Sequence, residues 1–194
     1  SFLAKTGLMT AGMAVGANSV SANSMSAKSY SRIIGANEKI RTGHIGIGNQ
    51  GSLLLGEFMR QDEVEVGALC DVYEPFLNRD RSSVEPRYFK TRSGQIRAMD
   101  EKFSNEPARY KDYRKLLENK DLDAIVIATP DHWHALQCID ACEAGFHVYV
   151  EKPLTITIKE GRAMVNVQKR VGNVVQVGLN RRGSEVYQKL AKEI

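Results

Sequence analysis

Short apolar runs alternate with amphipathic segments along most of the chain, from about residue 41 to residue 177. The apolar runs predict five buried strands: Arg41–Ile47, Val64–Cys70, Leu122–Ala128, His147–Val150 and Val174–Val177. Apolar positions at helical spacing predict helices over Gln50–Arg60, Lys111–Asn119, Asp131–Ala144 and Ile158–Val171, and the start of another over Glu74–Asp80. Strands that alternate with helices are typical of an α/β fold with a doubly wound parallel sheet.

Turn and cap residues mark the ends of several of these elements. Asp131 stands where a helix cap is needed, and Gly145 and Gly172 follow the last residues of two predicted helices. The segment Arg81–Pro107 has little apolar periodicity and mixes basic with acidic residues. We therefore expect it to be a polar, solvated insertion between the helix that begins at Glu74 and the helix over Lys111–Asn119.

A turn with three glycines and two amide residues joins the first predicted strand to the first predicted helix: Gly46, Gly48, Asn49, Gln50 and Gly51. The first glycine permits a tight turn, the second lets the backbone approach a pyrophosphate, and the third lets the helix pack close to the strand. The amides at the start of the helix suit a phosphate. Asp71, at the end of the second strand, suits the hydroxyls of a ribose and would repel a 2′-phosphate. The turn therefore predicts a Rossmann dinucleotide-binding domain that favours NAD over NADP.

Unusual polar residues also follow the later strands. Thr129 and Pro130 follow the third strand, and Glu151-Lys152-Pro153 follows the fourth. The fifth strand leads into Asn180-Arg181-Arg182. Because the carboxyl ends of parallel strands meet at one edge of the sheet, and ligands bind beyond that edge, we expect these residues to lie around one site.

Together, the glycine turn, Thr129-Pro130 with His134, Glu151-Lys152-Pro153 and Asn180-Arg181-Arg182 resemble the motifs of the Gfo/Idh/MocA oxidoreductases. The resemblance covers about Ile40 to Ile194, and the family includes glucose–fructose oxidoreductase and inositol 2-dehydrogenase. It implies an NAD-dependent enzyme that transfers a hydride between nicotinamide and a sugar, polyol or related secondary alcohol. It also implies a C-terminal α/β substrate domain, which is largely absent from this sequence, and we expect the sequence to be a fragment that is inactive alone.

The resemblance assigns Lys152 as the catalytic candidate, beside the nicotinamide ribose and the reacting carbon. A cation there can bind a sugar hydroxyl and stabilise a developing alkoxide, and a cis peptide bond at Pro153 would fix its direction. By resemblance, His134 lies near the cofactor and is not the main base. The expected cofactor contacts beyond the glycine turn and Asp71 are Thr129, Pro130, His134, Glu151 and Asn180.

Two other functions are compatible with the same residues. One is an NAD-dependent glycosidase that uses transient oxidation, although such relatives often depart from the Glu-Lys-Pro turn that is present here. The other is a noncatalytic regulator that binds NAD. The expected partners are a small sugar or polyol substrate and, for the full-length protein, further copies of itself.

The sequence divides into three predicted parts. Residues 1–39 are interpreted as a signal-like leader and linker, residues 40–180 as the dinucleotide-binding domain, and residues 181–194 as the start of the C-terminal domain. Ser1-Phe2-Leu3-Ala4-Lys5 and the weakly apolar run after it resemble the tail of a twin-arginine export signal. We therefore expect a periplasmic or secreted protein, with a cytoplasmic location as the alternative.

The composition mainly argues against certain classes of partner and site. The net charge of +4 is modest, and the basic residues of the insertion are interleaved with acidic ones, so we expect no nucleic-acid partner. The run near the N-terminus is too short and too polar for stable membrane insertion. Three cysteines without a C-x-x-C pair predict no metal site, and Cys138 and Cys142 fit small core positions on one helix face.

Overall fold

The computed structural model describes residues 39–88, 99, 102–179 and 184–193. The strands in this part of the chain are Ile40–Ile45 (β1), Val64–Cys70 (β2), Ala108–Tyr110 (β3), Ala124–Ile127 (β4), His147–Glu151 (β5) and Val175–Gly178 (β6). The helices are Asn49–Met59 (α1), Glu74–Leu77 (α2), Tyr113–Leu116 (α3), His134–Glu143 (α4), Ile158–Val171 (α5) and Glu185–Glu193 (α6). Short 3₁₀ turns cover Arg81–Ser83, Pro86–Tyr88 and Asp131–Trp133.

The six strands form one parallel sheet in the order β3-β2-β1-β4-β5-β6. At the end of β1, Ile45 pairs with Cys70 on one side and with Ile127 on the other. The strand ends are therefore level, and the segments that follow them emerge along the same edge. The doubly wound α/β fold predicted from the sequence is confirmed.

Two buried clusters hold helices against the sheet. One cluster packs side chains of α3, α4 and α5, such as Leu116 and Met164, against β1, β4 and β5. The other packs Leu55 of α1 against residues of β2. Cys138 and Cys142 are fully buried in the first cluster, which confirms their prediction as small core residues.

Some elements differ from the prediction. β3 was not predicted, because its three residues are exposed or half-buried at the edge of the sheet and carry no apolar pattern. Two predicted helices are single turns, since α2 covers only the start of Glu74–Asp80 and α3 only the middle of Lys111–Asn119. The Asp112 side chain caps α3 by accepting a hydrogen bond from the Arg114 amide.

The helix predicted from Asp131 begins three residues later, at His134. Asp131 lies inside a 3₁₀ turn, and no side chain caps α4, so its predicted capping role is wrong. Gly145 and Gly172 lie just after α4 and α5 with φ of 96° and 78°, the left-handed geometry expected where a helix ends.

Part of the insertion is packed, which corrects the expectation of a solvated segment. Val84 and Met99 are buried, and Tyr73 and Phe76 pack against them. The Tyr88 ring lies 5.0 Å from the Tyr73 ring, measured between centroids. This packing could not be predicted from the sequence, because the apolar residues of the insertion are scattered among charged ones.

The described part of the chain contains no helix of the length and apolar character needed to cross a membrane. Its last helix, α6, exposes apolar side chains, since Val186 is 72% exposed and Leu190 is 50% exposed.

Candidate functional site

The glycine turn after β1 needs glycine at two positions for steric reasons. Gly46 has a φ of 81°, and a Cβ there would lie 2.7 Å from the backbone nitrogen of Thr129. A Cβ on Gly51 would lie 1.9 Å from the carbonyl oxygen of Gly46. α1 can therefore begin against the turn only because both residues lack a side chain.

The N-terminus of α1 lies at the carboxyl ends of the strands, because α1 follows β1 directly. No side chain caps the helix, and its N-cap residue is Gly48. The first amides of the helix thus combine free donors with the positive end of the helix dipole, which is the arrangement that binds a phosphate. The side chains of Asn49 and Gln50 are used elsewhere: Asn49 donates to the Tyr88 carbonyl (2.9 Å) and Gln50 to Glu151 (3.0 Å). It is therefore the backbone at these two positions that is suited to a pyrophosphate.

Asp71 follows β2 and is tied to the glycine turn. Its Oδ2 accepts a hydrogen bond from the Ile47 amide (2.9 Å), and its Oδ1 accepts one from the Tyr73 amide (2.9 Å). Burial raises the pKa of Asp71, and these hydrogen bonds and the nearby charge of Arg79 act in the opposite direction. Each carboxylate oxygen has a further lone pair, so both can also accept from ribose hydroxyls.

Arg79 is a site residue that the sequence analysis missed. Its guanidinium donates to the Ile47 carbonyl (3.0 Å) and to the Ser52 hydroxyl (3.1 Å), so it contacts both the glycine turn and the first residues of α1. In the sequence it is only one basic residue in a charged stretch, and no local pattern distinguishes it.

His134 connects the segments that follow β4 and β5. The ring is 2% exposed, with one nitrogen 2.8 Å from the Thr129 carbonyl oxygen and the other 2.7 Å from the Pro153 carbonyl oxygen. The Thr129 hydroxyl donates to the Gln137 side chain (2.7 Å). The buried ring thereby connects the turn after β4 to the turn after β5.

Glu151 joins the turn after β5 to the start of α1. It is 2% exposed, and its carboxylate accepts hydrogen bonds from the Gln50 side chain and from the Lys152 amide (2.9 Å). The Lys152-Pro153 peptide bond is cis, as expected, and the Lys152 side chain is exposed. The structure thus holds the Lys152 backbone beside the glycine turn and leaves its ammonium group accessible.

The two residues that precede His134 are much more exposed than it is. Trp133 is 39% exposed and packs edge-on against Tyr113, with 6.4 Å between ring centroids. The His132 ring is exposed and lies 3.8 Å from Asp131. Asn180, predicted to contact the cofactor, lies outside the described residues. Among the residues that the structure does describe, no cluster of three His, Cys, Asp or Glu side chains could hold a metal ion.

Comparison with known proteins decides the family. Residues 40–179 match the model of the Gfo/Idh/MocA oxidoreductase family, NAD-binding Rossmann fold. The chain belongs to this family. The resemblance drawn from the motifs is therefore confirmed, and NAD is the cofactor of the matched domain.

Several Gfo/Idh/MocA relatives can be aligned with the chain. It is 33% identical over 137 residues to an α-N-acetylgalactosaminidase of Shewanella oneidensis, an alignment that covers 69% of the chain and 27% of that protein. An NAD-binding protein from Listeria innocua is 28% identical with a TM-score of 0.59, covering 77% of the chain and 38% of the other. The WlbA dehydrogenase from Bordetella pertussis, solved with NADH and UDP-GlcNAcA, is 26% identical with a TM-score of 0.58, covering 74% and 36%. The chain spans about a quarter of the length of the curated relatives it matches.

The observed geometry fits the cofactor of the Gfo/Idh/MocA family. The N-terminus of α1 packs closely against the turn, because a Cβ on Gly46 or Gly51 would clash with neighbouring backbone, and this backbone forms a cradle for a phosphate. Asp71 lies at one side of this cradle, and Glu151 is bonded to Gln50 on the other. Backbone amides at a helix N-terminus, the Asp71 carboxylate and the exposed Lys152 are thus brought together at the carboxyl ends of the strands.

Proposed function

We propose that the intact protein is an NAD-dependent oxidoreductase that acts on a secondary alcohol of a sugar, a polyol or a related compound. The observation that carries this proposal is the fixed placement of Lys152. Its amide is bonded to Glu151, and Glu151 is bonded to Gln50 in the first turn of α1. This chain of contacts supports a role for Lys152 at the reacting carbon, beside a dinucleotide held by the glycine turn.

The chain's own residues have separable tasks in such a reaction. When bound, NAD accepts the hydride that leaves the alcohol carbon. A general base takes the hydroxyl proton as the hydride leaves the carbon. The Lys152 ammonium donates a hydrogen bond to the substrate oxygen and stabilises negative charge that develops there. His134 and Glu151 touch no reacting atom in this scheme and keep the two turns in place.

Asp71 supports a preference for NAD over NADP. Its carboxylate can accept hydrogen bonds from the ribose hydroxyls, whereas a 2′-phosphate in the same place would meet a negative charge. The hydrogen bonds from Ile47 and Tyr73 hold this carboxylate in position.

An NAD-dependent glycosidase is the second candidate. It is favoured by the 33% identity to the Shewanella oneidensis protein named as an α-N-acetylgalactosaminidase. A dehydrogenase accumulates reduced cofactor in proportion to substrate consumed. A glycosidase that oxidises its substrate only transiently releases sugar without net reduction of NAD.

The two candidates are separated by one assay on the intact protein. A panel of sugars, polyols and aryl glycosides is supplied with NAD, and both reduced-cofactor absorbance and released aglycone are recorded. We expect net reduction of NAD with a sugar or polyol. Release of aglycone without net reduction would favour the glycosidase, and the binding of NAD without either product would favour the noncatalytic regulator.

The same assay tests Lys152. Lys152→Ala is compared with Lys159→Ala, which removes an exposed lysine from the start of α5. We expect the first substitution to abolish most turnover and the second to leave it unchanged.

A further inference from the structure

The backbone of Arg79 has an unusual conformation. Its φ is 56°, and it is the one residue other than glycine with a positive φ among those the structure describes. Arginine rarely adopts this left-handed geometry, because its Cβ crowds the backbone. Such a conformation persists where surrounding contacts enforce it, and it is often found at functional sites.

The contacts of Arg79 lead back to the glycine turn, 32 residues earlier in the chain. One guanidinium nitrogen donates to the Ile47 carbonyl, and the other donates to the Ser52 hydroxyl. The Ser52 hydroxyl in turn donates to the same Ile47 carbonyl (3.0 Å). This carbonyl therefore accepts two hydrogen bonds in the middle of the turn.

The amide of Ile47 contacts a negative charge, whereas its carbonyl oxygen contacts the positive charge of Arg79. The Ile47 amide donates to the Asp71 carboxylate, so Ile47 lies between an anion at its nitrogen and a cation at its carbonyl oxygen. These two bonds set the orientation of the peptide groups on both sides of Ile47. The peptide that follows Ile47 carries the amide of Gly48, which immediately precedes α1.

We propose that Arg79 is a positioning residue of the dinucleotide site, which holds the glycine turn in the orientation that a pyrophosphate requires. The inference rests on the proposed function only in its use of NAD. Arg79 acts through the Ile47 carbonyl and touches neither substrate nor nicotinamide. The guanidinium donates to the Ile47 carbonyl and the Ser52 hydroxyl at the same time. This explains why arginine is present, since lysine has no planar pair of donors to reach both acceptors.

The test uses calorimetric titration of the intact protein, free of cofactor, with NAD and with ADP-ribose. Arg79→Gln removes the charge, Arg79→Lys keeps it without the planar fork, and Arg79→Gly adopts the positive φ without strain. The matched control is Arg60→Gln, which removes an exposed arginine at the far end of α1. Thermal unfolding of each cofactor-free variant is recorded in parallel.

We expect Arg79→Gln and Arg79→Gly to weaken both ligands by roughly tenfold or more, as for the loss of charge-assisted hydrogen bonds. Arg79→Lys should restore part of the affinity, and Arg60→Gln should match the wild type. In steady-state assays the KM for NAD should rise while kcat at saturating NAD stays near the wild-type value. Arg79→Gly should unfold close to the wild-type temperature, which separates a positioning role from general destabilisation.

Three results would contradict the positioning role of Arg79, and only one of them would also contradict the proposed function. Wild-type affinity for NAD and ADP-ribose in both Arg79→Gln and Arg79→Gly would overturn the positioning role and leave the proposed function intact. Equal weakening by Arg60→Gln would also overturn it, because the loss would then reflect net charge. A wild-type protein that binds no NAD would overturn the proposed function and this inference together.

Discussion

Gly51→Ala is expected to damage both the fold and the cofactor site, although it adds a single methyl group. The new Cβ would lie 1.9 Å from the Gly46 carbonyl oxygen, whereas ordinary contact begins near 3.4 Å. The start of α1 must therefore move by about 1.5 Å, or the turn must open by the same amount. Overpacking of this kind costs about 1–3 kcal/mol. Because the contact is with backbone, which cannot rotate away as a side chain can, we expect the upper part of this range.

The matched control is Gly56→Ala in the same helix, because a Cβ on Gly56 would meet no atom within 4 Å. This change should stabilise the protein by about 0.5–1 kcal/mol through helix propensity alone. Thermal unfolding should therefore separate the two variants in sign, with Gly51→Ala lower than the wild type by roughly 6–12 °C. Calorimetry should show weakened NAD binding only for Gly51→Ala. A Gly51→Ala protein that unfolds within a degree of the wild type and binds NAD normally would refute the steric reasoning.

Four further predictions concern other parts of the molecule. Lys152→Ala should lower turnover far more than NAD affinity, with a loss of about 2.7–4 kcal/mol in transition-state stabilisation, and wild-type turnover in this variant would exclude the alkoxide role. Asp71→Asn keeps an acceptor for the Ile47 amide but removes the charge, so the ratio of NAD to NADP affinity should fall by roughly tenfold in paired titrations; an unchanged ratio would mean that this charge does not select the cofactor. Burial lowers the pKa of His44 from 6.5 to about 3, because the folded protein disfavours the charged ring. The contribution of this group to the free energy of unfolding is therefore complete above pH 6.5 and declines as the pH falls toward 3. Denaturant unfolding at pH 5 should thus show about 2 kcal/mol less stability than at pH 7 from this group, a difference that His44→Asn should remove. Finally, mass spectrometry of the protein from its native host should find a mature start within residues 22–39, whereas an intact N-terminus in the cytoplasm would refute export.

The sequence predicted the elements whose physics is local. Apolar runs identified β1, β2, β4 and β5, because a buried parallel strand must be apolar on both faces. The valines of β6 also indicated that strand, although it lies at the outside of the sheet and is only half-buried. The exposed edge strand β3 lacks that constraint, and its three residues gave no signal. The start of α4 was misplaced for a related reason, since Asp131 looks like a cap in sequence but lies in a 3₁₀ turn that only the surrounding chain determines.

The candidate site also contains residues that a local pattern indicates and residues that only tertiary contacts bring together. The glycine turn and Asp71 have fixed spacing, so the sequence could predict them together. Arg79 is joined to the turn only by tertiary contacts, as is Glu151 to Gln50. These contacts depend on strand order and on side-chain reach, which no local pattern encodes. The hydrogen bonds from the Asn49 and Gln50 side chains to Tyr88 and Glu151 are likewise tertiary contacts that no local pattern indicates.

The contact between Gln50 and Glu151 joins residues that are 101 positions apart. It spans the centre of the sheet, because Gln50 follows β1 and Glu151 ends β5, with β4 between these strands. The turn that carries Lys152 therefore has this partner only when β5 occupies its place two strands from β1. A chain interrupted between the two residues would keep the glycine turn as a sequence motif but would lose the support that holds the lysine beside it. In this protein, the support of a single catalytic candidate therefore depends on the whole stretch of chain from β1 to β5.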